Sequence, residues 1–561
     1  MGMIRSKVIV TLLGVCVASS AAAQLTPSDF ETPEFYANWG LNAINAQEAY
    51  AKGFTGAGIK IGISDGAVQL WHPEFASRVY FPDPIYLYPV PGYYIDDHGT
   101  HVTGIASAAR NDVGMMGVAF DATIASVIAT WDPESGYETD PEHVEKIVQA
   151  GAQVVNNSNG PAARPGWTKF YAQATSGIVA YDTINLWAEN DIVILYSAGN
   201  QRDKGVPVAQ KLPTGVAKFL PLITPRNTLA GDLYVFVQDG TDLDGNPAHF
   251  PRFPLDVPID DTGLTLGEAD FSAFAGTSIV VGAVDRDLSL APYSNACGRV
   301  KAWCLVAPGT DIYSTIPVST YGFDDGTSMA APHATGSAAV LRQAFPYMNA
   351  RQIIEVMLTT ATDLGEPGVD DIYGHGLLNL GRAVQGPIVF GSPLLIDDQD
   401  PDSTPIFAPI FAVDTKGYDS VWSNDITGAG GFSKAGAGML TLTGTNTYTG
   451  ETTITGGILR VDGSIASSEL TVTSGGTLQG IGTVGNTVMA GVLSPGNSVG
   501  TLTVDGNLTL QAGSTYLYEI DANQNGDLVV VSGTAVIDDG AVFELNAEDG
   551  VFLDRVYPMI Q

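Results

Sequence analysis

Cysteine is almost absent from this chain: three occur in 561 residues. Cys16 sits in an N-terminal apolar stretch, which leaves only Cys297 and Cys304 for a possible bridge. Basic residues are scarce as well, with 25 Lys+Arg against 60 Asp+Glu and a net charge of −35. That balance argues against nucleic acid or an anionic membrane surface as the main partner and fits solubility in an extracellular medium. Beyond the N-terminus no continuous apolar run reaches the ~18 residues of a membrane-spanning helix. Histidine is rare, seven in all, so each can be weighed singly.

The first residues read as an export leader. Arg5 and Lys7 supply the positive start, Val8 to Ala18 an apolar stretch too short to span a bilayer, and Ala21-Ala22-Ala23 a small-residue cleavage site. Residues 1–23 are therefore expected to be a signal peptide, with the mature chain starting near Gln24. Val15 precedes Cys16 where a lipidated cysteine would need a small residue. An even pair of cysteines in an exported chain implies a local Cys297–Cys304 disulfide, the alternative being two free thiols.

From Ile59 to Leu380 the pattern is α/β. Ile59 to Ser64, Thr123 to Ala129, Val154-Val155 and Ile192 to Ser197 read as short buried strands. A helix is predicted from Pro141 to about Gly151 on the face of Val144, Ile147 and Val148. Another is predicted over the small residues Ala330 to Ala344. Strands alternating with helices imply a parallel sheet with both faces covered, and functional groups at the carboxyl ends of its strands. Residues 201–275 break this rhythm and read as an insertion. Within it Asp239 to Asn246 is Asp-rich, but its spacing does not fit an EF-hand, so a solvated turn is expected.

After Ala383 the composition changes. Residues 391–429, with Asp397 to Asp402 and nearby prolines, read as a linker. From Gly430 to Gln561, Leu440, Leu442, Tyr448, Ile454, Leu459 and Val461 alternate with polar residues between glycine turns. Many short strands mean a sandwich or a solenoid, and the self-similar phrases Gly456-Gly457-Ile458-Leu459 and Gly475-Gly476-Thr477-Leu478 favour the solenoid.

Four stations carry chemistry. Asp65 ends a strand; His98 opens His98-Gly99-Thr100-His101-Val102-Thr103-Gly104; Asn200 ends Ser197-Ala198-Gly199-Asn200; Ser328 lies in Gly326-Thr327-Ser328-Met329-Ala330-Ala331-Pro332-His333. A serine hydroxyl is a weak nucleophile that needs a base, and the base needs a carboxylate to fix its tautomer. A helix start beside the serine offers N–H groups to an oxyanion, and an asparagine amide adds another donor. His98 and His101 stand three apart, but a zinc-peptidase helix would read His-Glu-x-x-His, so no metal is assigned. His72, His333 and His375 are expected to be structural, His143 a surface residue, and His249 without a nameable partner.

The order Asp, His, Ser and the surrounding phrases resemble the subtilisin-like (subtilase) serine peptidases from about Asn42 to Val384. The resemblance implies a subtilisin-like parallel sheet, residues 24–390 as the peptidase domain, Asp65 orienting His98, His98 as general base, Ser328 as nucleophile and Asn200 in the oxyanion hole. It implies that Ser158, Asn159 and Gly160 form an edge that pairs with an extended protein or peptide substrate. No cofactor is implied; calcium is known in the family and has no motif here. The sequence departs from the family in three ways: Gly66-Ala67 follow the acid, only Gln24 to Leu41 precede the domain where many relatives carry a folding prodomain, and the gap from Asn200 to Ser328 is long. The cysteine segment resembles the autotransporter branch of Gram-negative bacteria, and Phe432 to Val461 resembles the passenger-associated transport repeat, implying a C-terminal right-handed β-helix. A membrane barrel of 12 strands would need roughly 110–130 strand residues, and none is seen, so a barrel is expected to be supplied elsewhere or to be missing from this sequence. The rival expectation is a surface adhesin or scaffold with an inert peptidase domain.

Overall fold

The computed structural model describes residues 25–75, 77–80, 97–128, 130–132, 136–138, 141–158, 186–204, 276–391, 407–547 and 556–561. The leader, Asn159-Gly160, the Asp-rich run and nearly all of the expected insertion lie outside them.

Three short helices, α1 (Pro33–Ala37), α2 (Trp39–Ala43) and α3 (Ala46–Ala51), lead into strand β1 (Lys60–Asp65). Helix α4 (Asp97–Ser107) and strand β2 (Thr123–Ile128) follow, then a small hairpin of β3 (Thr130–Asp132) and β4 (Gly136–Glu138). Next come α5 (Pro141–Gln149), β5 (Val154–Asn157), β6 (Val193–Ser197), β7 (Ser278–Val284) and β8 (Cys304–Pro308). Strands β9 (Ile312–Ile316) and β10 (Thr320–Asp324) form an antiparallel hairpin. It feeds α6 (Thr327–Ala344), and α7 (Ala350–Thr359) closes the series.

The main sheet has the order β2-β1-β5-β6-β7-β8, and every pairing in it is parallel. Parallel strands covered on both faces read as unbroken apolar runs. Ser278-Ile279-Val280-Val281-Gly282-Ala283-Val284 is such a run, with every residue buried. Helix α6 packs across β5 to β8, and its stripe of Gly, Ala and Ser brings it close to its neighbours. A Cβ on Gly336 would meet Val118 Cβ at 2.5 Å and the carbonyl of Ala106 at 2.8 Å. The helix begins at Thr327, three residues before the sequence pattern predicts, because Gly326 takes the N-cap and Ser328 falls inside the first turn.

The second region is a parallel β-solenoid. One seven-stranded sheet stacks residues 410–414, 431–435, 452–454, 470–472, 487–489, 508–510 and 535–537. Another stacks residues 420–422, 439–442, 457–461, 476–480, 492–495, 515–520 and 542–547. A four-stranded sheet completes the later coils. Each strand pairs in parallel with its counterpart one coil later, which decides between the sandwich and solenoid readings. The register places Leu440, Leu459, Leu478, Leu493 and Tyr516 in one buried inner column. In the other sheet Lys434 stands in the column of Ile454, Val472, Met489 and Leu510. This lysine is fully buried, and its Nζ donates to the carbonyls of Ala435, Gly436 and Gly456 at 2.9, 2.9 and 3.0 Å.

The linker expected over residues 391–429 is corrected in its second half. Ile410–Asp414 and Ser420–Trp422 are the first strands of the two large sheets, so the solenoid starts before Gly430. These strands are short, and their inward set is only Phe411, Val413 and Trp422. Acidic and proline-rich flanks hid that alternation.

The regions meet on aromatic rings. Phe390, just after the helices of the α/β region, stacks on Phe432 with ring centroids 5.4 Å apart and lies 5.3 Å from Phe411 and 4.9 Å from Tyr448. Trp422 Nε1 donates to Tyr347 Oη at 3.1 Å, which lies 2.9 Å from Ser420 Oγ. Gln352 of α7 donates to the carbonyl of Ala412 at 2.6 Å.

Candidate active site

The site lies where the strand order predicts, at the carboxyl ends of the central strands. Asp65 is the last residue of β1. Ile63 pairs with Asn156 of β5, where the β1–β5 ladder ends. Ser197 ends β6, and Asn200 follows three residues later.

Asp65 is buried, 1% exposed, and His98 in the first turn of α4 is 29% exposed. Asp65 Oδ1 lies 2.7 Å from His98 Nδ1 and also accepts the Gly66 N–H at 2.7 Å. A carboxylate accepts only, so the imidazole proton is on Nδ1 and the basic lone pair on Nε2. A Cβ on Gly99 would lie 2.3 Å from the Gly66 carbonyl, so the first turn of α4 rests directly on the backbone that follows Asp65. Asp65 Oδ2 is buried without a hydrogen-bond partner among the described residues.

Ser328 is 9% exposed, in the first turn of α6. Proline at 332 has no N–H to return to the Ser328 carbonyl, the partner an ordinary helix would supply. Ser158 supplies it instead: its Oγ donates to the Ser328 carbonyl at 2.8 Å, while Ser328 Oγ donates to the Ser158 carbonyl at 3.0 Å. Asn156 Nδ2 donates to Ser158 Oγ at 2.9 Å, and Thr335 Oγ1 donates to Asn156 Oδ1 at 2.9 Å. The Ser158 side chain is therefore a brace under Ser328, turned inward from the edge.

The Asn200 amide is oriented by a residue that the sequence reading passed over. Thr327 donates to Asn200 Oδ1 from its backbone N–H at 2.9 Å and from its hydroxyl at 2.8 Å, and that hydroxyl accepts the Gly199 N–H at 2.9 Å. With Oδ1 engaged, Nδ2 is the outward donor; it lies 3.1 Å from where a Cβ on Gly326 would sit. The Ser328 N–H, in the first helical turn, has no intrahelical partner. Two donors thus converge beside one hydroxyl at the positive end of an 18-residue helix.

His72, His101, His333 and His375 tie backbone, while the side chains of His143 and His249 lie outside the described residues. His72 Nε2 lies 3.2 Å from the Thr320 carbonyl, His101 Nε2 3.2 Å from that of Gly322 and His375 Nε2 2.9 Å from that of Ala302. Burial holds His72 and His101 below the ordinary imidazole range and pushes His333 and His375 down to about 4. Cys297 and Cys304 form the expected bridge, with S–S 2.04 Å and Cα atoms 5.7 Å apart. Among the described residues no group of three or more His, Cys, Asp or Glu side chains is arranged to hold a metal ion. Nor is any described helix long and apolar enough to cross a membrane.

Chemically, the arrangement joins a buried carboxylate to an imidazole, and sets a hydroxyl under convergent N–H donors. Comparison with known proteins points the same way. Residues 56–376 match the subtilase family, and residues 432–461 match the passenger-associated-transport-repeat. The chain is 32% identical to an extracellular serine protease of Serratia marcescens, over 92% of this chain and 52% of that protein. It is 30% identical to the Neisserial autotransporter lipoprotein NalP of Neisseria meningitidis serogroup B, over 70% of this chain and 34% of that protein. Subtilisin DY of Bacillus licheniformis is 27% identical over 62% of this chain and 98% of its own length. The chain spans about half the length of the Serratia protein and a third of the Neisseria one. With more than half of its residues inside the family match, the chain belongs to the subtilase family.

Proposed function

We propose that this chain is an exported serine endopeptidase that cleaves peptide bonds through an acyl-enzyme. The carrying observation is the 2.7 Å contact between buried Asp65 and His98 Nδ1, with Ser328 at the start of α6 bonded to Ser158 just after β5. In this reading His98 Nε2 takes the Ser328 proton as the hydroxyl attacks the carbonyl carbon. Asp65 holds the resulting imidazolium, and the tetrahedral oxyanion accepts from Asn200 Nδ2 and the Ser328 N–H. The C–N bond then breaks as His98 returns the proton to the leaving amine. Water attacks the acyl-enzyme by the same route in reverse. Substrate backbone would pair along the edge that starts at Ser158, running into Asn159 and Gly160. No step in this route needs a cofactor.

Export rests on the leader at residues 1–23 and on relatives named as extracellular or autotransporter proteins. The solenoid acts as the scaffold that carries the peptidase outward, and an outer-membrane barrel is its proposed translocation partner. A fluorophosphonate probe tests the enzyme reading against an inert adhesin. Stoichiometric labelling of the folded protein at Ser328 is expected; a folded protein that takes no label would overturn it.

A further inference from the structure

We infer that Asn295 is a positioning residue for the oxyanion donor, acting through Asn200. The inference rests on the oxyanion role proposed above. Strand β6 ends at Ser197, so the loop that carries Asn200 has left the sheet and needs other partners. Thr327 orients the Asn200 amide, but it does not hold the loop backbone on both sides. Asn295 does. It is fully buried, in the loop between β7 and the disulfide. Its backbone N–H donates to the Gly199 carbonyl at 2.9 Å, and its Nδ2 donates to the Ala198 carbonyl at 3.0 Å. Beyond Asn200, its Oδ1 accepts the Gln201 N–H at 3.1 Å, and its Nδ2 also donates to Gln201 Oε1 at 3.0 Å. Its side chain therefore fixes Ala198, two residues before the oxyanion donor, and Gln201, immediately after it, while its backbone N–H fixes Gly199 between them.

Asn295 is itself held firmly. Ser294 Oγ donates to the Asn295 carbonyl at 3.0 Å and accepts the Ala283 N–H of β7 at 3.0 Å. Two residues later the chain is bonded covalently through Cys297 to Cys304 at the start of β8. The oxyanion loop is thereby referenced to β7 and β8, while the nucleophile is referenced to β5 through Ser158. Only a side chain with both a donor and an acceptor can make this grip, which an amide satisfies and an alanine, leucine or carboxylate does not.

Oxyanion contacts strengthen in the transition state, so a displaced donor lowers kcat more than it raises KM. Misplacement of a catalytic group by about 1 Å lowers rate by roughly 100-fold. Asn295→Ala is expected to lower kcat per titrated Ser328 by about 10- to 100-fold with KM within about twofold. Asn295→Ala in an Asn200→Ala background should add little, because the group it positions is already gone. Asn295→Asp keeps the acceptor for Gln201 and loses the donor to Ala198. Its kcat relative to the parent should recover as pH falls and the carboxyl gains a proton to donate. Steady-state kinetics on a peptide substrate, normalised to fluorophosphonate-titrated sites, reads all of these. A purely structural Asn295 would give fewer titratable sites with unchanged kcat per site, and that result overturns the inference. Independent, multiplying losses in the double variant overturn it as well. If Asn200→Ala alone leaves kcat unchanged, the oxyanion reading falls and takes this inference with it, a failure told apart by that single variant.

Discussion

The peptidase region and the solenoid solve the same packing problem in opposite ways. In the peptidase sheet, neighbouring strands come from distant parts of the chain: β1 lies between β2 and β5, and the Ser158–Ser328 contacts join residues 170 apart. In the solenoid successive strands of each sheet pair with their counterparts one coil later, and one inner column repeats leucine through Leu440, Leu459, Leu478 and Leu493. The first arrangement fixes a few side chains from many directions, which catalysis requires. The second is close to a sum of like neighbours, so that damage stays local.

That contrast can be broken, or sharpened, by experiment. Ser328→Ala should lower kcat by roughly six orders of magnitude, the scale measured for a subtilisin, without shifting hydrogen exchange in any solenoid coil. Residual activity near the parent's would sink the triad assignment. Phe390→Ala removes the ring shared by both regions and should destabilise by about 3–5 kcal/mol. Exchange should rise first in the coil that holds Phe411, Trp422 and Phe432, and kcat per titrated site should stay unchanged. Uniform destabilisation of every coil would refute the local picture. Lys434→Met keeps the apolar stem but removes the Nζ donor from the Gly436 and Gly456 carbonyls, while the Ala435 carbonyl keeps the Thr415 N–H; the loss should cost about 1–3 kcal/mol. Faster exchange confined to residues near Gly436 and Gly456 would mark the loss.

The smallest expected effect is a difference in sign with pH. Burial holds His333 and His375 at about 4, below their unfolded value near 6.5. As pH falls from about 6.5 towards 4 the unfolded chain binds protons that the folded peptidase region does not, so its stability falls. The solenoid has no histidine. Burial there pushes Asp527 up to about 6, against N–H donors from Gly500 and Glu519. Its folded form binds a proton first, so the coil around it gains stability over the same acid range. Glu355 on α7, raised to about 8 by burial, acts in the same sense as Asp527. The histidine effect is therefore best read in a Glu355→Gln background. Urea unfolding from pH 7 to 4, followed region by region by limited proteolysis, should show opposite trends; parallel trends would refute the assignment.

The four stations Asp65, His98, Asn200 and Ser328, to which catalytic roles are proposed above, were legible in the sequence because each sits in a compact phrase whose chemistry is local. Strand positions in the parallel sheet were legible for the same reason, since doubly buried strands are plain apolar runs. The roles of Thr327, Pro332 and Asn295 were not legible, because each depends on a partner about 100 or more positions away or on a hydrogen bond that is missing. Ser158 was read as substrate-facing because its backbone lies on the edge, while its hydroxyl turns inward to the Ser328 carbonyl. The first solenoid coil was missed because Phe411, Val413 and Trp422 give too few alternations to stand out from an acidic, proline-rich approach.

The stacked coils also have a consequence under tension. Hydrogen bonds between coils point along the stacking direction, ~4.8 Å per step. A pull along that direction loads the coils in series, so each bears the full force and the weakest parts first. At the junction the load divides among the Phe390 stack, the Trp422–Tyr347–Ser420 bonds and the Gln352–Ala412 bond. Those contacts share the force in parallel. A pull on the far end of the solenoid is thus carried in series through the coils but shared at the junction, so no single junction contact bears the whole load.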